Sequence, residues 1–360
     1  MKAAVCYEFG KPLVVEEVTL EAPRFGEVKV RTAAAAICHS DVHLIRGEWR
    51  GQTPVIAGHE TSGVVEEVGE GVTLVKPGDH VVMSLLRSCG RCFYCAEGDT
   101  HMCEADYSLD TEPRFRNQNG EPIHHGIRTA GFAEYTLVDQ SQLVPIPKEI
   151  PLDSASLLAC GVITGLGAVV NTAGVEAGRS VVVIGVGGVG LNSIQGAALS
   201  GAYPVIAIDL LDSKLEASRE FGATHIINAK TTEDVPAAVK ALTNGRGADY
   251  VFVTVGSTAA GQQALTLIRP GGTVTLVGIP EIGATLPISP FFGVTQEQKI
   301  IGSSMGSTRL SVDIPRLIDL YESKQLKLDE LVTKRYPLDQ INEAIESMER
   351  GEALRNVIVF

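Results

Sequence analysis

Short apolar runs separated by glycine and proline open the chain. AAVCYEF, LVVEEV and EVKVRTAAAAI all lie within residues 1–37 and predict the strands of a small β-rich domain. Residues 104–130 are polar and predict a long loop with a turn at Asn119-Gly120; a solvated surface pair, His124-His125, is expected on it. Residues 132–147 return to the strand-like pattern, and residues 151–174 read as helix-rich. Near residue 180 the pattern changes. The run VVVI at 181–184 has the length and β-branching of a buried parallel strand. A helix-like stretch follows, with Leu191, Ile194, Ala197 and Ala198 as its small and apolar positions, and a second run at 205–208 ends in Asp209. Strand-like and helix-like pieces then alternate to about residue 304, which predicts a parallel sheet with right-handed crossovers. The final segment, 313–360, reads as two helix-like stretches around YPL and a last strand, NVIVF, returning to the first domain.

Size and charge narrow the classes. A chain of 360 residues is too long for one ordinary core, so two domains are expected. A net charge of −13 argues against nucleic acid and anionic membranes as partners. No run reaches a bilayer-spanning length and no secretory pattern opens the sequence, so a cytoplasmic location is expected. Seven cysteines, an odd number, argue against a disulfide framework in that setting.

The cysteines carry chemistry instead. Cys89, Cys92, Cys95 and Cys103 crowd into 15 residues, a spacing that lets four thiolates close a tetrahedron around a structural Zn²⁺. Cys38 and His59 are zinc-type ligands 21 residues apart, which only a fold could bring together. By pattern alone Cys160 is a core cysteine. The glycine run Gly185-x-Gly187-x-x-Gly190 sits between the strand and the helix as a dinucleotide loop requires: a tight turn, a close approach to pyrophosphate, and close helix–strand packing. Asp209 follows the last glycine by 19 residues, placed to accept from ribose hydroxyls. Leu210 and Leu211 offer no arginine for a 2′-phosphate, so NAD is favoured over NADP.

Together these residues resemble the zinc-dependent alcohol dehydrogenases of the medium-chain dehydrogenase/reductase family. Gly58-His59-Glu60-x2-Gly63-x5-Gly69 is similar to that family's zinc signature, the cysteine run to its structural zinc loop, and GVGGVG with Asp209 to its NAD site. The resemblance implies an α/β fold, with a Rossmann doubly wound parallel sheet over 162–304 and a discontinuous GroES-like catalytic domain over 1–161 and 305–360. It implies two zinc ions per chain, with Cys38, His59 and Cys160 holding the catalytic one. Asp41 would orient His59, Glu60 would stand beside the metal, and Ser40 and His43 would form a proton relay. His39, Thr164, Gly185, Gly187, Gly188, Val189, Gly190, Asp209, Lys214, Val277 and Arg355 would contact NAD. Trp49, Leu85 and Ile127 would line an apolar substrate channel, with Gly126 as its opening.

The activity so implied is reversible hydride transfer between NAD and a primary or secondary alcohol, or the matching aldehyde or ketone, bearing an apolar substituent. Such a channel has no obvious anion clamp, so a glutathione adduct of formaldehyde is expected to fit poorly. A homodimer or homotetramer is implied. Three other readings stand beside this one. A polyol dehydrogenase commonly carries Glu where Cys160 stands. A zinc-free quinone reductase would not need the cysteine loop. A non-catalytic binding protein would not need the set Cys38, Ser40, His43, His59 and Cys160.

Overall fold

The computed structural model describes residues 1–49 and 51–360, and they divide into two compact units. Met1–Cys160 and Arg309–Phe360 form the first, and Gly161–Thr308 the second.

The first unit is built on two sheets. The larger has seven strands, centred on the ten-residue strand Glu27–Ala36, which pairs with Glu60–Val68, Tyr135–Asp139 and the C-terminal Arg355–Val359. Val357 lies opposite Ala36, so the end of the chain is bonded into the sheet begun near its start. Alternation along the central strand explains its place: Val28 and Val30 are buried, whereas Lys29 and Arg31 turn outward. YPL is not a link between helices. Tyr336 and Pro337 end a strand, Val332–Pro337, that pairs parallel with Arg355–Val359. Tyr336 is 1% exposed there, and it is burial against the core that the helix-like pattern did not reveal.

Residues 104–130 are more ordered than a polar loop. They hold a helical turn Ser108–Thr111, the short strands Phe115–Arg116 and Pro122–His125, and a 3₁₀ turn at Gly126–Arg128. Two buried arginines account for this. Arg114, fully buried, donates from Nη2 to Glu27 Oε1 at 2.7 Å and to Ser108 Oγ at 3.3 Å. Arg87 donates to Gln142 Oε1 at 2.8 Å, Asp110 Oδ1 at 2.7 Å and the Arg128 carbonyl at 3.3 Å. Arg114 points inward to its partners, while Glu104, Asp106, Glu112, Arg116 and Glu121 stay exposed.

The second unit is one parallel six-stranded sheet. Its spatial order is His225–Asn228, Val205–Asp209, Val181–Ile184, Ala248–Val253, Ile268–Leu276 and Lys299–Gly302. Counted along the chain within this unit, that order is 3-2-1-4-5-6, the doubly wound arrangement with a switch point beside the first strand. Val182, Ile184, Ile206, Ile208, Val251 and Val253 are packed on one face of it. No single helix among the described residues is long and apolar enough to cross a membrane.

Arg114→Ala would leave the buried Glu27 carboxylate without its guanidinium partner. Breaking a buried pair in this way costs about 3–5 kcal/mol. A clear fall in Tm is therefore expected, and an unchanged melting curve would show that the pair contributes little.

Candidate active site

Cys38 follows the central strand and N-caps the helix His39–Ile45. Asp41, one turn into that helix and fully buried, folds back to accept from the Cys38 backbone N–H at 3.2 Å. The same carboxylate accepts from the Gly58 N–H at 2.8 Å and lies 2.9 Å from His59 Nδ1. With Nδ1 donating to Asp41, His59 presents Nε2 on its other side, 3.3 Å from Cys160 Sγ. Cys160 arrives from a 3₁₀ turn, Leu157–Ala159, whose Ala159 carbonyl accepts from Ser84 at 2.8 Å. The ligand atoms of Cys38, His59 and Cys160 all lie within 4.8 Å of one another, and all three residues are buried.

The electrostatics agree with the geometry. A hydrogen bond from Cys160 holds the Cys38 thiol well below its ordinary range; burial opposes this and the charge of His59 assists it. Burial would lower the His59 imidazole, but the Asp41 carboxylate and the Cys38 thiolate together push it up to about 10. The site therefore gathers negative charge around a proton in a place without solvent. A divalent cation displacing that proton suits it, and two sulfurs with one imidazole nitrogen form a catalytic zinc donor set with a position to spare. Asp41 on the far ring nitrogen orients the imidazole as zinc-site histidines require.

Cys89, Cys92, Cys95 and Cys103 also converge within 4.8 Å. Backbone N–H groups point at the sulfurs: Cys92 to Cys89 at 3.3 Å, Cys89 to Cys103 at 3.3 Å, Cys95 to Cys92 at 3.5 Å. Amides of Glu104 and Cys95 pull the Cys92 thiol down to about 6. Four sulfurs gathered in this way fit a closed structural zinc.

Other expected residues fall as follows. Glu60 is buried and ion-paired with Arg355, itself 6% exposed; a partner 295 positions away leaves no local trace in sequence. Ser40 and His43 share one face of the helix His39–Ile45, and His39 is exposed at its start. His43 Nδ1 contacts the Glu48 carboxylate and its ring stacks on Trp49 at 5.3 Å between centroids; nothing in the sequence reading singled out Glu48. A cavity of about 440 Å³ in the first unit is lined by Ile127 and Gly126, with Leu44, Asp110, Thr111 and His124 among its other walls. Trp49 and Leu85 are not among its walls.

In the second unit, the glycine loop has the shape a pyrophosphate needs. Gly185 has φ +91°, and a Cβ on Gly190 would sit 1.9 Å from the Gly185 carbonyl oxygen. At Gly187 a Cβ would meet nothing within 4 Å, so this backbone faces open space at the head of the helix Gly188–Leu199, whose first turn holds Val189. Asp209 closes the neighbouring strand and accepts from the N–H groups of Val186 and Leu210 at 2.7 Å. Thr164 is buried, its hydroxyl 3.6 Å from Met305 Sδ. Val277 donates to the Val253 carbonyl at 2.9 Å, and Lys214 lies on the helix Asp212–Glu220.

His125 overturns the expectation of a solvated pair. Both its ring nitrogens are buried, and the ring packs on Phe115 at 4.8 Å between centroids. Burial, then the charges of Arg87 and Arg114, push its imidazole down to about 3. An unfolded histidine takes up a proton near pH ~6.5, so the contribution of neutral His125 is fully present above that pH. It is lost as the pH falls toward 3, by at most about 1.4 kcal/mol per unit. Measured from pH 7 to 4, the stability gap between wild type and His125→Gln should narrow with acid. A gap independent of pH would contradict the buried neutral imidazole.

Comparison with known proteins places this geometry. Residues 24–148 match the family described as the alcohol dehydrogenase GroES-like domain, and residues 188–323 the zinc-binding dehydrogenase family. The chain is 40% identical to an NDMA-dependent alcohol dehydrogenase of Amycolatopsis methanolica, over 99% of this chain and 98% of that protein. It is 38% identical to an S-(hydroxymethyl)glutathione dehydrogenase of Paracoccus denitrificans, over 100% and 99%. Among solved structures, benzyl alcohol dehydrogenase from Acinetobacter calcoaceticus superposes with a TM-score of 0.92 at 30% identity, covering 100% of this chain and 99% of that one. An alcohol dehydrogenase zinc-binding domain protein from Burkholderia ambifaria reaches 0.94 at 34% identity, covering 100% and 98%. With two sulfurs and an imidazole converging in a GroES-like unit and a glycine loop heading a doubly wound sheet, the chain belongs to the zinc-type alcohol dehydrogenases of the medium-chain dehydrogenase/reductase family.

Proposed function

We propose that the chain is an NAD-dependent dehydrogenase of primary or secondary alcohols with apolar substituents, holding two zinc ions per chain. The convergence of Cys38, His59 and Cys160 carries this reading, because only a metal makes sense of two sulfurs and a carboxylate-braced imidazole buried together. Zn²⁺ in that seat supplies Lewis acidity that polarises a carbonyl and acidifies a hydroxyl, and NAD supplies the hydride acceptor. The chain's own residues do the rest. Ser40 accepts the proton that leaves the alcohol, and His43, three residues on, is the base from which it reaches water. Asp41 keeps the His59 ring in register. Asp209, fixed by the Val186 and Leu210 amides, is the partner of the adenosine ribose hydroxyls and a like charge to any 2′-phosphate. Arg355, His39, Thr164, Lys214 and Val277 are read as further cofactor contacts, and Cys89, Cys92, Cys95 and Cys103 as the structural zinc ligands.

Elemental analysis should find two zinc ions per chain and one after Cys38→Ser. Lewis acidity of this kind is worth several kcal/mol, so that variant should lose about 10²-fold or more in turnover while still quenching NADH fluorescence. Full activity in it would refute the ligand set, and a zinc-free wild type would favour a quinone reductase. Asp209→Ala should cost about tenfold to a hundredfold in kcat/KM for NAD and gain activity with NADP, the scale of a lost charged hydrogen bond. Turnover of benzyl alcohol and hexanol above sorbitol and hydroxymethylglutathione is expected. Activity that needs NDMA and ignores added NAD would overturn the cofactor assignment.

Self-association is part of the proposal. Lys299–Gly302 is the edge strand of the second unit's sheet, and the preceding segment exposes Ile279, Ile282, Ile288, Phe291 and Val294. Light scattering should give a dimer or tetramer, and a monomer at micromolar concentration would exclude it.

A further inference from the structure

The helix His39–Ile45 ends in a Schellman motif. Gly47 has φ +74° and donates to the Leu44 carbonyl at 3.0 Å, and Glu48 donates to the His43 carbonyl at 3.0 Å. That pattern brings the second residue past the cap back over the residue three from the helix end, usually as an apolar contact. Here the two residues are Glu48 and His43, and their side chains meet: the carboxylate is in contact with Nδ1. Trp49, the next residue, covers the imidazole face, with rings 23° from parallel. Gly47 cannot readily be replaced. A Cβ there would lie 2.9 Å from Phe9 Cβ as well as in a left-handed conformation.

We propose that Glu48 is a positioning residue for His43, fixing its tautomer and ring orientation by holding Nδ1–H. This rests on the reading of His43 as the base. A carboxylate at Nδ1 makes that nitrogen the donor and leaves Nε2 with its lone pair, ready to accept a proton. When Nε2 takes the proton relayed from the alcohol through Ser40, the ring becomes an imidazolium, and the Glu48 carboxylate faces the new positive charge. The proton then leaves Nε2 for water while Nδ1–H stays held by Glu48, whose side chain is 43% exposed. One proton enters and one leaves at Nε2, so the imidazole returns neutral in its starting tautomer. Trp49 stacking restricts the ring flip that would exchange the two nitrogens.

The tautomer is read directly by long-range ¹H–¹⁵N NMR on the zinc-loaded protein, with His43 assigned by its loss in His43→Gln. Wild type should show Nδ1–H. Glu48→Gln keeps an acceptor oxygen and should keep that tautomer, whereas Glu48→Ala should shift the ring toward Nε2–H. A carboxylate orienting a functional histidine is typically worth about 10–100-fold, and exposure puts Glu48 at the lower end. Glu48→Ala should therefore lower kcat about tenfold with the KM for alcohol changed by less than about twofold. The double variant with His43→Gln should be no slower than His43→Gln alone. An unchanged tautomer in Glu48→Ala, or losses that multiply in the double variant, would overturn the assignment. A fully active His43→Gln would instead remove the base reading, while the NMR signature would still report whether Glu48 sets the ring.

Discussion

One buried carboxylate holds the reactive end of the first unit together. Asp41 receives the backbone N–H of Cys38, the backbone N–H of Gly58 and the far nitrogen of His59. These three donors come from two chain segments that share no local sequence, the turn after the central strand and the loop before Glu60–Val68. Hydrogen bonds to an ionised acceptor are the strong ones, and an unpaired carboxylate at zero exposure would be prohibitively costly. The fold around Asp41 therefore has little freedom to open without exposing a charge, and the same bonds that satisfy the carboxylate set the spacing of Cys38 and His59.

Charge around that anchor is balanced by burial of opposites. Cys38, Cys160, Asp41 and Glu60 bring acidic groups, and His59 and Arg355 bring cations, all with little or no exposure. Arg355 faces Glu60 and lies close enough to Cys38 and Asp41 for their charges to act on it. Such an assembly is poor as a source of stability, since desolvation offsets much of the attraction. It is good as a seat for a divalent cation, which replaces the His59 proton and needs a nearby acid set. The final strand takes part because Arg355 begins it. Pairing of Val357 with Ala36 thus delivers a guanidinium from the end of the chain to a site begun by Cys38.

The cofactor half depends on a different constraint, the closeness of backbone to backbone. Gly190 must lack a side chain because the Gly185 carbonyl already occupies that space, and Gly187 is bare on its open side. Asp209 ties its own strand end to the loop through Val186, so the acid and the glycine turn hold a set relation within one sheet. Parallel strands buried on both faces leave only their ends to carry chemistry, and this is where all of these residues lie.

Much of this was legible in the residues alone. The four-cysteine spacing, the glycine loop followed by Asp209, and the alternation of strands and helices are local patterns, and local geometry follows from local sequence. The family resemblance supplied roles for Arg355 and for Cys160, which pattern alone read as a core cysteine. What the residues did not reveal were partners distant in the chain: Arg114 with Glu27, Arg355 with Glu60, and a strand where YPL suggested a link. Within 104–130 the inward turn of Arg114 was not legible, because a buried ion pair and a solvated one use the same letters. Only the tertiary structure decides which charges face inward, since burial is a property of what packs around a side chain and not of the side chain itself.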